Sequence, residues 1–485
     1  MPLIRTSQAD SFSRIDPQQQ EWLYCGLDAA VTLELDEVFQ ARIEKDPFAD
    51  LNYRANLALQ APAMTMQLRG LRVDETARKR LLQTLMAEGE TKQAEVNKLA
   101  LALLPLGSEP PFRYNKALPP SPHQLAKFFF DTLGIAPVKT RDGARTTAKD
   151  ALTRIAKREP RTRPLCEAIQ SLRDLEKQIE VLSVARSPDG RLRSMFNVGQ
   201  AETDRWSSNS DPYKKGTNLQ NIDSRLRGIF IPDPGFVFLE VDLEQGESRC
   251  VAYLAGDPDY IKAHEDGNTH VVCSRKWWPG LRIPADDRKA KEFLKGKQVP
   301  WVIQAGGGEA SKSYYDVSKN RQHGFNYGRT ARSVAIMEGI KVAEGQKALD
   351  IHFDAYPGIP RWHEREKEML RRTGVQITPL GYRRQFFGPP KDEHTIKEAL
   401  ANGPQSMSVQ ILNTGLWRCW RDLDGPDFQL LQQGHDSFLA QVRLGKEAWA
   451  KAEVEKRMAV PVDVNGLTMT IPCKVAFGPN WGEMR

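Results

Sequence analysis

Two aspartates, each placed where a strand is predicted to end, are the residues of this chain best suited to chemistry. Asp242 closes a β-rich run that begins at Val237, and a helix-like segment follows immediately. Asp436 lies between His435 and Ser437, in a short turn with alternating apolar runs on both sides. Carboxylates at adjacent strand ends can hold a pair of divalent cations, the arrangement used in two-metal phosphoryl transfer. A single aspartate at a strand end is more commonly a turn or cap residue, so the neighbouring residues must decide.

A second motif offers a cation and two rings. Lys319, His323 and Tyr327 are spaced four residues apart, so a helix would place all three on one face. A lysine on that face can reach triphosphate oxygens, and a flat ring one turn further can stack on a base. Gly328 is expected to end or kink the helix. A solvated cationic stripe would show the same spacing, and this motif alone does not separate the two interpretations.

A third stretch is dense in hydrogen-bonding side chains. It runs from Thr203 through Arg205 to Ser208 and continues at Asn218 and Gln220. Amide, hydroxyl and guanidinium groups of this kind suit phosphate and groove contacts, which position a nucleic-acid duplex without reading its sequence. A polar surface loop held by its own turns explains the same composition.

The elements that must position these residues are short strands and long helices. Strands are predicted at 236–242, 428–432 and 438–442, and the last two form a hairpin. Asp74 is predicted to cap a helix that runs to about residue 104, and Gly70 and Gly256 are predicted to close helices. Other helices are predicted near 17–44, 57–68, 164–186, 247–255, 318–340 and 360–373. Long helical inserts in a small sheet indicate an α+β fold.

Composition sets broad limits on the class of protein. The chain has 485 residues, 40% hydrophobic and 27% charged, enough for about two or three domains. No apolar run is long enough for a membrane span, and the first residues lack the apolar stretch of a signal peptide. The six cysteines include no Cys-x-x-Cys, which argues against a zinc site and for a cytoplasmic protein. The net charge of +7 is a mild lean toward polyanions.

Taken in order along the chain, these motifs resemble those of the polymerase-I family (family A) of DNA polymerases. Residues 242–249, continuing to Asp257, resemble motif A; residues 319–328 resemble motif B; and residues 433–436 resemble motif C. Shorter matches lie at Tyr356-Pro-Gly, Leu380-Gly-Tyr, Gln405-Ser406 and Gly478-Pro-Asn-Trp481, and thumb-like matches at Gly70-Leu-Arg-Val-Asp74 and Pro122-His-Gln-Leu.

The resemblance implies a right-hand polymerase fold, with an antiparallel palm sheet and helical fingers and thumb. It divides the chain into a remnant of an exonuclease-like domain (1–50), a thumb (51–190), fingers (266–394) and a palm in two parts (191–265 and 395–485).

It also implies template-directed DNA synthesis from dNTPs on primer–template DNA. Asp242, Asp436 and the backbone carbonyl of Leu243 would ligate two Mg²⁺ ions, with Mn²⁺ as an alternative, and Lys319 would be catalytic. Glu247 matches the steric gate that excludes a ribose 2′-hydroxyl. The other nucleotide-binding positions would be Gln245, His270, His323 and Tyr327, and the DNA-binding positions would be Arg205, Asn218, Gln220, Arg249, Gln405, Gln433 and His435.

Four departures from the family pattern are visible. Ser437 replaces the glutamate that usually follows the aspartate of motif C. Tyr315 stands where motif B has an arginine, and Lys312 is a candidate substitute. His323 occupies a position that is Phe or Tyr in the family. The interval from His270 to Lys319 is 49 residues (319 − 270), which implies a fingers insertion that includes Gly306-Gly-Gly.

The segment Tyr24-Cys-Gly-Leu-Asp28 resembles the last motif of the family's 3′–5′ exonuclease domain. The preceding exonuclease carboxylates have no room, so either proofreading is lost or a separate exonuclease chain supplies it. Within this chain alone, Tyr24 and Asp28 are expected to pack against the thumb. The layout resembles bacteriophage polymerases, which implies phage genome replication in a host cytoplasm.

Two other functions remain open from sequence. A catalytically weak, nucleic-acid-binding paralogue or subunit is suggested by Ser437 and Tyr315. A nuclease that uses the same aspartates explains neither Glu247 nor the helix face of Lys319 and Tyr327.

Overall fold

The computed structural model describes residues 16–485 except 115–118, 141, 302, 306, 307 and 311, and gives the backbone alone for 303–305 and 308–310. The predicted insertion motif at Gly306 and Gly307 lies outside the described residues, as do residues 1–15 of the exonuclease-like remnant.

The first part of the chain is helical, with five short strands that form a three-stranded sheet and a strand pair. Its helices are α1 (Pro17–Ile43), α2 (Pro47–Arg69), α3 (Glu75–Leu101), α4 (Pro122–Ala126), α5 (Lys149–Arg158), α6 (Arg163–Ser183) and α7 (Ser224–Arg227), with a π-helix at Lys127–Thr132 and a 3₁₀-helix at Pro160–Thr162. Its strands are β1 (Leu71–Val73), β2 (Arg191–Leu192), β3 (Met195–Asn197), β4 (Ser207–Asn209) and β5 (Phe230–Ile231).

The second part holds the main sheet and most of the remaining helices. Its strands are β6 (Phe236–Leu243), β7 (Ile303–Ala305), β8 (Gly308–Ala310), β9 (Val375–Ile377), β10 (Arg383–Gln385), β11 (Phe428–Gln433), β12 (Ser437–Arg443), β13 (Val462–Val464), β14 (Leu467–Met469) and β15 (Cys473–Gly478). Its helices are α8 (Gly246–Ala255), α9 (Pro258–Glu265), α10 (Thr269–Trp277), α11 (Asp287–Gly296), α12 (Tyr314–Asn326), α13 (Ala331–Glu338), α14 (Val342–Ala355), α15 (Gly358–Arg372), α16 (Glu393–Leu423) and α17 (Glu447–Met458).

A four-stranded antiparallel sheet, in the order β11-β12-β6-β15, is the centre of the structure. Successive side chains of β6 point to opposite faces. Leu239 and Val241 face a core that includes Met407 and Ile411 of α16, whereas Phe238 packs with a second cluster that includes Leu219. Both faces of the sheet are therefore covered, and functional side chains are confined to its ends.

A small three-stranded sheet, in the order β2-β1-β5, joins the helical first part to the main sheet. Gly70 ends α2 just before β1 and has φ +65°, a conformation that favours glycine. A Cβ at this position would lie 2.9 Å from the carbonyl oxygen of Leu192. Glycine is therefore required here both for its backbone angle and for the close approach of β2.

The local predictions are confirmed where strong signals exist. The hairpin of β11 and β12 forms, Asp74 caps α3 through two backbone amides, and Gly256 closes α8 in the left-handed conformation. The α+β fold class is likewise confirmed. The expectation that Gly328 ends or kinks the helix is confirmed, because Gly328, at φ +71°, separates α12 from α13, so the predicted span 318–340 is two helices.

The expected packing of Tyr24 and Asp28 against the thumb is also wrong. Helix α1 has no buried residue, and 61% of the Tyr24 side chain is exposed. Among the described helices, none is both long enough and apolar enough to cross a membrane.

Candidate active site

Asp242 and Asp436 meet at one edge of the main sheet. Asp242 is paired with Ser437 across the β6–β12 ladder, and the Leu243 amide donates to the Asp436 carbonyl oxygen at 3.1 Å. Both aspartates are exposed, whereas Leu243 is buried. The hairpin turn thus brings a residue 194 positions later (436 − 242) next to the end of β6.

The electrostatics of this edge are those of a crowded anionic pair. Partial burial of the carboxyl raises the pKa of Asp242 to about 6, and the charges of Asp436 and Glu240 act in the same direction. Lys319 and Lys474 oppose that rise. Burial is thus the main cause of the raised pKa of Asp242, and the neighbouring carboxylates add to it.

The donor chemistry of the pair fits magnesium. Within the described residues, no group of three His, Cys, Asp or Glu side chains is placed to hold a metal. Mg²⁺, however, is usually bound by one or two carboxylates, with waters and substrate phosphates completing its shell. Two exposed carboxylates at a sheet edge are therefore a suitable protein contribution to such a site.

Helix α12 supplies the cation near this edge. Lys319 and His323 are both exposed on α12, whereas Ser318 and Gln322 beside them are buried. Tyr327 lies one residue beyond the helix, and its ring meets that of His323 edge to face, with the ring centroids 4.7 Å apart. The predicted face is thus confirmed for Lys319 and His323, while Tyr327 continues it as the C-cap.

Glu247 connects three parts of the site. It lies in the first turn of α8, and its carboxylate accepts a hydrogen bond of 2.6 Å from the Tyr327 hydroxyl. The Arg205 guanidinium forms a salt bridge with the other carboxylate oxygen. These two contacts fix Glu247 between the loop at residues 203–220 (the polar loop) and the end of α12.

Gln245 and His270 are held by buried neighbours. Gln245 adopts φ +54° just before α8, and its side-chain oxygen accepts from the Thr269 hydroxyl. Nδ1 of His270 shares a hydrogen bond with the side-chain oxygen of Gln322, which can only accept, so Nδ1 carries the proton. Burial lowers the pKa of His270 to about 4, and nearby positive charges, including that of Lys319, act in the same direction. The imidazole is therefore neutral near pH 7.

A buried polar network fixes the position of α12. The Gln322 amide donates to the Tyr260 hydroxyl at 2.7 Å and to the Ser248 hydroxyl at 3.1 Å, and Asn326 donates to Tyr260 at 3.0 Å. These residues were missed from sequence. The signal available in the sequence was the four-residue spacing of Ser318, Gln322 and Asn326, which forms a second polar stripe on the helix. Polar side chains on the buried side of a helix must be hydrogen-bonded.

On the other side of the aspartates, the polar loop lies against the hairpin. The Gln220 amide donates to the Gln433 side-chain oxygen at 2.7 Å, and Gln433 in turn donates to Asn413 at 3.2 Å. Nε2 of His435 lies 3.3 Å from the Asn221 side-chain oxygen. Asn218 is held in the same loop, where it accepts from the Ser208 hydroxyl at 2.8 Å.

Burial lowers the pKa of His435, and the charge of Arg205 adds to that effect. This part of the site is therefore a surface of neutral hydrogen-bonding groups beside one arginine.

Of the predicted DNA-binding residues, Gln433 is fully buried, Arg249 is buried against α9, and Gln405 makes no hydrogen bond to this group within the described residues. Arg249 is 4% exposed and binds Glu265 and the His264 carbonyl oxygen of α9. Gln405 is half-buried on α16, and no hydrogen bond joins it to the loop or the hairpin in the part of the chain that the structure describes.

Residues 84–290 and 303–483 match a protein-family model described as DNA polymerase family A. Among curated proteins, DNA polymerase I, thermostable, from Thermus filiformis is 27% identical over 440 residues, which cover 87% of this chain and 47% of that protein. DNA polymerase I from Chloroflexus aurantiacus is 26% identical over 513 aligned positions, which cover 99% of this chain and 48% of the relative. The chain thus spans about half the length of these relatives.

A solved structure of the POL domain of Pol1 from M. smegmatis, in complex with DNA primer-template and dNTP, is similar with a TM-score of 0.69 and 22% identity. The similarity covers 93% of this chain and 74% of that one. It shows that this chain has the right-hand polymerase fold.

Proposed function

The chain belongs to DNA polymerase family A, and from this premise we propose that it is a template-directed DNA polymerase that adds dNTPs to a primer 3′-hydroxyl. The observation that carries the proposal is the meeting of Asp242 and Asp436 at one sheet edge, with Lys319 close enough for its charge to act on Asp242. A carboxylate pair beside a cation suits phosphoryl transfer. The solved relative was captured with primer-template and dNTP, which supports the same partners here.

Two Mg²⁺ ions are the proposed cofactor, with Mn²⁺ as an alternative. Asp242, Asp436 and the Leu243 carbonyl would hold them, and the exposed, mutually repelling carboxylates support this assignment. When bound, the ions supply Lewis acidity at the primer hydroxyl and neutralise charge on the phosphates.

Lys319 is the proposed contact to the triphosphate and a source of the proton for the pyrophosphate leaving group. His270 is the second proposed phosphate contact. Because its imidazole is neutral in the free protein, a bound phosphate would have to raise the pKa of His270 before Nε2 can donate to it.

The sugar and base of the incoming nucleotide are assigned to the C-terminal end of α12. Glu247, clamped by Arg205 and Tyr327, is the proposed gate against a 2′-hydroxyl. Tyr327 is assigned to the templating position, His323 to the incoming nucleoside, and Gln245 to a supporting contact beside Thr269.

The primer–template junction is assigned to the loop and hairpin. Asn218, Gln220 and His435 lie in the hydrogen-bonded loop and hairpin, which supports their proposed contacts to the duplex. Gln433 is fully buried and holds Gln220 through its side-chain oxygen, and Arg205 pairs with Glu247. For Gln405 and Arg249, only the family resemblance supports a contact to the duplex.

The proposed domains follow the same logic. The thumb is assigned to 51–190, the palm to 191–265 and 395–485, the fingers to 266–394, and an exonuclease-like remnant to 1–50. The main sheet carrying both aspartates falls within the proposed palm, and α12 within the proposed fingers.

We also propose a biological setting and a partner for the enzyme. Phage genome replication in a host cytoplasm, and a separate 3′–5′ exonuclease chain as partner, rest on the resemblance to bacteriophage polymerases. The relatives named above come from bacteria.

The test is extension of a labelled primer–template by the purified chain with Mg²⁺ and dNTPs. We expect extension by the wild type, none by Asp242→Ala or Asp436→Ala, and normal extension by Asp259→Ala, which removes an exposed carboxylate of α9. Template-independent product, or activity that survives both aspartate changes, would overturn the proposal.

One alternative has a specific observation behind it. Ser437 and Tyr315 remove a carboxylate and a cation expected at the site, which favours a catalytically weak nucleic-acid-binding paralogue or subunit. A wild-type chain that binds primer–template tightly but does not extend it would establish that function instead.

A further inference from the structure

Two lysines of α11 lie over the ring of Tyr315. Ala290 and Leu294 are buried on one side of α11. Lys291 and Lys295 share another face of this helix, which contacts α12. Their ammonium nitrogens are 5.7 Å and 5.5 Å from the centre of the Tyr315 ring. This is within the range of a cation–π contact, so the ring holds both charges in place.

The Tyr315 ring also contacts a second residue of the site, His270. The Tyr315 ring meets that of His270 edge to face, with the ring centroids 5.6 Å apart. Lys319 and Lys291 are both among the positive charges that lower the pKa of His270, after burial. Lysines from two helices therefore converge on one buried, neutral imidazole.

The carboxylates near these lysines are engaged elsewhere. Asp287 binds Arg275 at 3.0 Å, Glu292 lies 3.7 Å from Arg288, and Asp316 accepts from the Ser313 hydroxyl at 2.7 Å. In the part of the chain that the structure describes, no salt bridge includes Lys291, Lys295 or Lys319. Like charges gathered without a counter-ion repel one another, and a bound anion would remove that repulsion.

We propose that Lys291 and Lys295, seated on Tyr315, form a binding site for the distal phosphates of the incoming nucleotide. The inference rests on the proposed polymerase function and adds two residues to it. Tyr315 then acts as a positioning residue: it carries no charge itself but holds two lysines where motif B is expected to supply a single arginine.

The order of groups along α12 supports this direction for the triphosphate. Tyr315, Lys319 and His323 follow one another at four-residue spacing, each about 6 Å further along the helix axis. Tyr327 and Glu247 mark the nucleoside end. The phosphates therefore extend past Lys319 toward Tyr315, where the α11 lysines lie.

The competing explanation is that the lysines only stabilise packing of α11 on α12. The two explanations differ in what is lost when the charges are removed. Packing alone predicts a change in thermal stability without a selective effect on dNTP affinity, whereas a phosphate site predicts weaker nucleotide binding in a protein of nearly unchanged stability.

The experiment is single-nucleotide insertion by the Lys291→Met/Lys295→Met double variant, with KM for dNTP and kcat measured separately. The matched control is Lys289→Met, which removes an exposed charge from the other side of α11. We expect KM to rise about tenfold or more, as for loss of charge-assisted phosphate contacts, with a smaller fall in kcat and weaker inhibition by pyrophosphate. The control should match the wild type.

Rescue provides a second readout. Adding Tyr315→Arg to the double variant should recover much of the dNTP affinity, because it restores a cation on the same helix face. A double variant whose KM and pyrophosphate inhibition stay within about twofold of wild type would overturn the inference while leaving the polymerase function intact. A wild type without extension activity would instead remove the proposed function itself.

Discussion

At the scale of single residues, Glu247 is held by two contacts at once. Its two carboxylate oxygens are taken by Tyr327 and Arg205, which fixes the side chain in one orientation. A clamped carboxylate has little freedom to move aside, which is what the proposed role of Glu247 as a gate against a 2′-hydroxyl requires.

We expect Glu247→Ala to admit rNTPs, lowering discrimination between dNTP and rNTP by about tenfold or more. Glu247→Gln keeps the bulk and serves as the matched control. The measurement is kcat/KM for both sugars on one template. Efficient rNTP use by the wild type, unchanged in Glu247→Ala, would contradict the assignment.

The buried carboxyl of Asp204, in the polar loop, makes the stability of the fold depend on pH. It has φ +60° and is 7% exposed, and one carboxylate oxygen has no hydrogen-bond partner among the described residues. Burial raises the pKa of Asp204 to about 6, although Asn56 and Gln410 act against the rise. Because the folded pKa lies above the ordinary value, the native state binds the proton more tightly than the unfolded chain, and stability falls as pH rises through about 4 to 6.

We therefore expect Asp204→Asn to stabilise the fold on the order of 2 kcal/mol at about pH 8 and to have little effect near pH 4. Asparagine also tolerates the positive φ. The measurement is denaturant unfolding of both proteins across this range.

Asp189→Asn is a control of opposite sign, since the hydrogen bond from Arg193 lowers the pKa of Asp189 to about 2. That variant should not be stabilised at high pH. An Asp204→Asn protein without a pH-dependent gain would contradict the buried-carboxylate account.

At the scale of elements, sequence patterns located the strands and helix caps because these depend on local spacing. The run before Asp242 is rich in strand-forming residues, and Asp74 and Gly70 carry standard cap signals. The start of α12 was missed although Ser313 and Asp316 give an N-cap pattern, with the Ser313 hydroxyl accepting from the Asp316 amide. Gly328 was expected to end or kink the helix, and the structure shows that the helix ends there, since periodicity alone does not say whether a glycine bends a helix or stops it.

The contacts that orient α12 were beyond sequence reasoning. Gln322 reaches Ser248, Tyr260 and His270, which lie 52 to 74 positions away (322 − 270 and 322 − 248). No local pattern pairs such residues. Their role depends on how four helices, α8, α9, α10 and α12, pack.

We expect Gln322→Leu to leave these partners unsatisfied, costing about 1–3 kcal/mol, and to lower kcat for nucleotide insertion because α12 loses its fixed position. Primer–template binding should persist. Asn320→Ala, at an exposed position of α12, is the control. Thermal unfolding and single-turnover insertion report both effects, and an unchanged Tm would contradict the network's role.

At the scale of the whole molecule, composition said little about function. A net charge of +7 from 69 basic and 62 acidic residues is compatible with many partners. The family resemblance named most of the candidate site in advance, and the structure brings its aspartates, Lys319, Glu247 and the Gln220–Gln433 pair into one region. Arg249 was named by the same resemblance, yet the structure buries it against Glu265. Motif position alone does not report which way a helical side chain faces.

We expect primer–template affinity to fall steeply with salt, because phosphate contacts dominate binding in a polymerase cleft. A log–log slope of about −4 or steeper between about 50 and 200 mM salt would correspond to four or more phosphate contacts. Fluorescence anisotropy gives the slope, and Asp242→Asn should keep it, since that change removes no cation. A flat response would contradict the duplex-binding arrangement.

The most direct test of the central claim is anomalous diffraction from crystals of the chain with primer–template, a non-hydrolysable dNTP analogue and Mn²⁺. We expect two anomalous peaks between Asp242, Asp436 and the nucleotide phosphates, and loss of both in Asp242→Asn/Asp436→Asn crystals that still hold DNA. Nucleotide bound without metal at this sheet edge, or metal bound away from both aspartates, would contradict the two-metal polymerase.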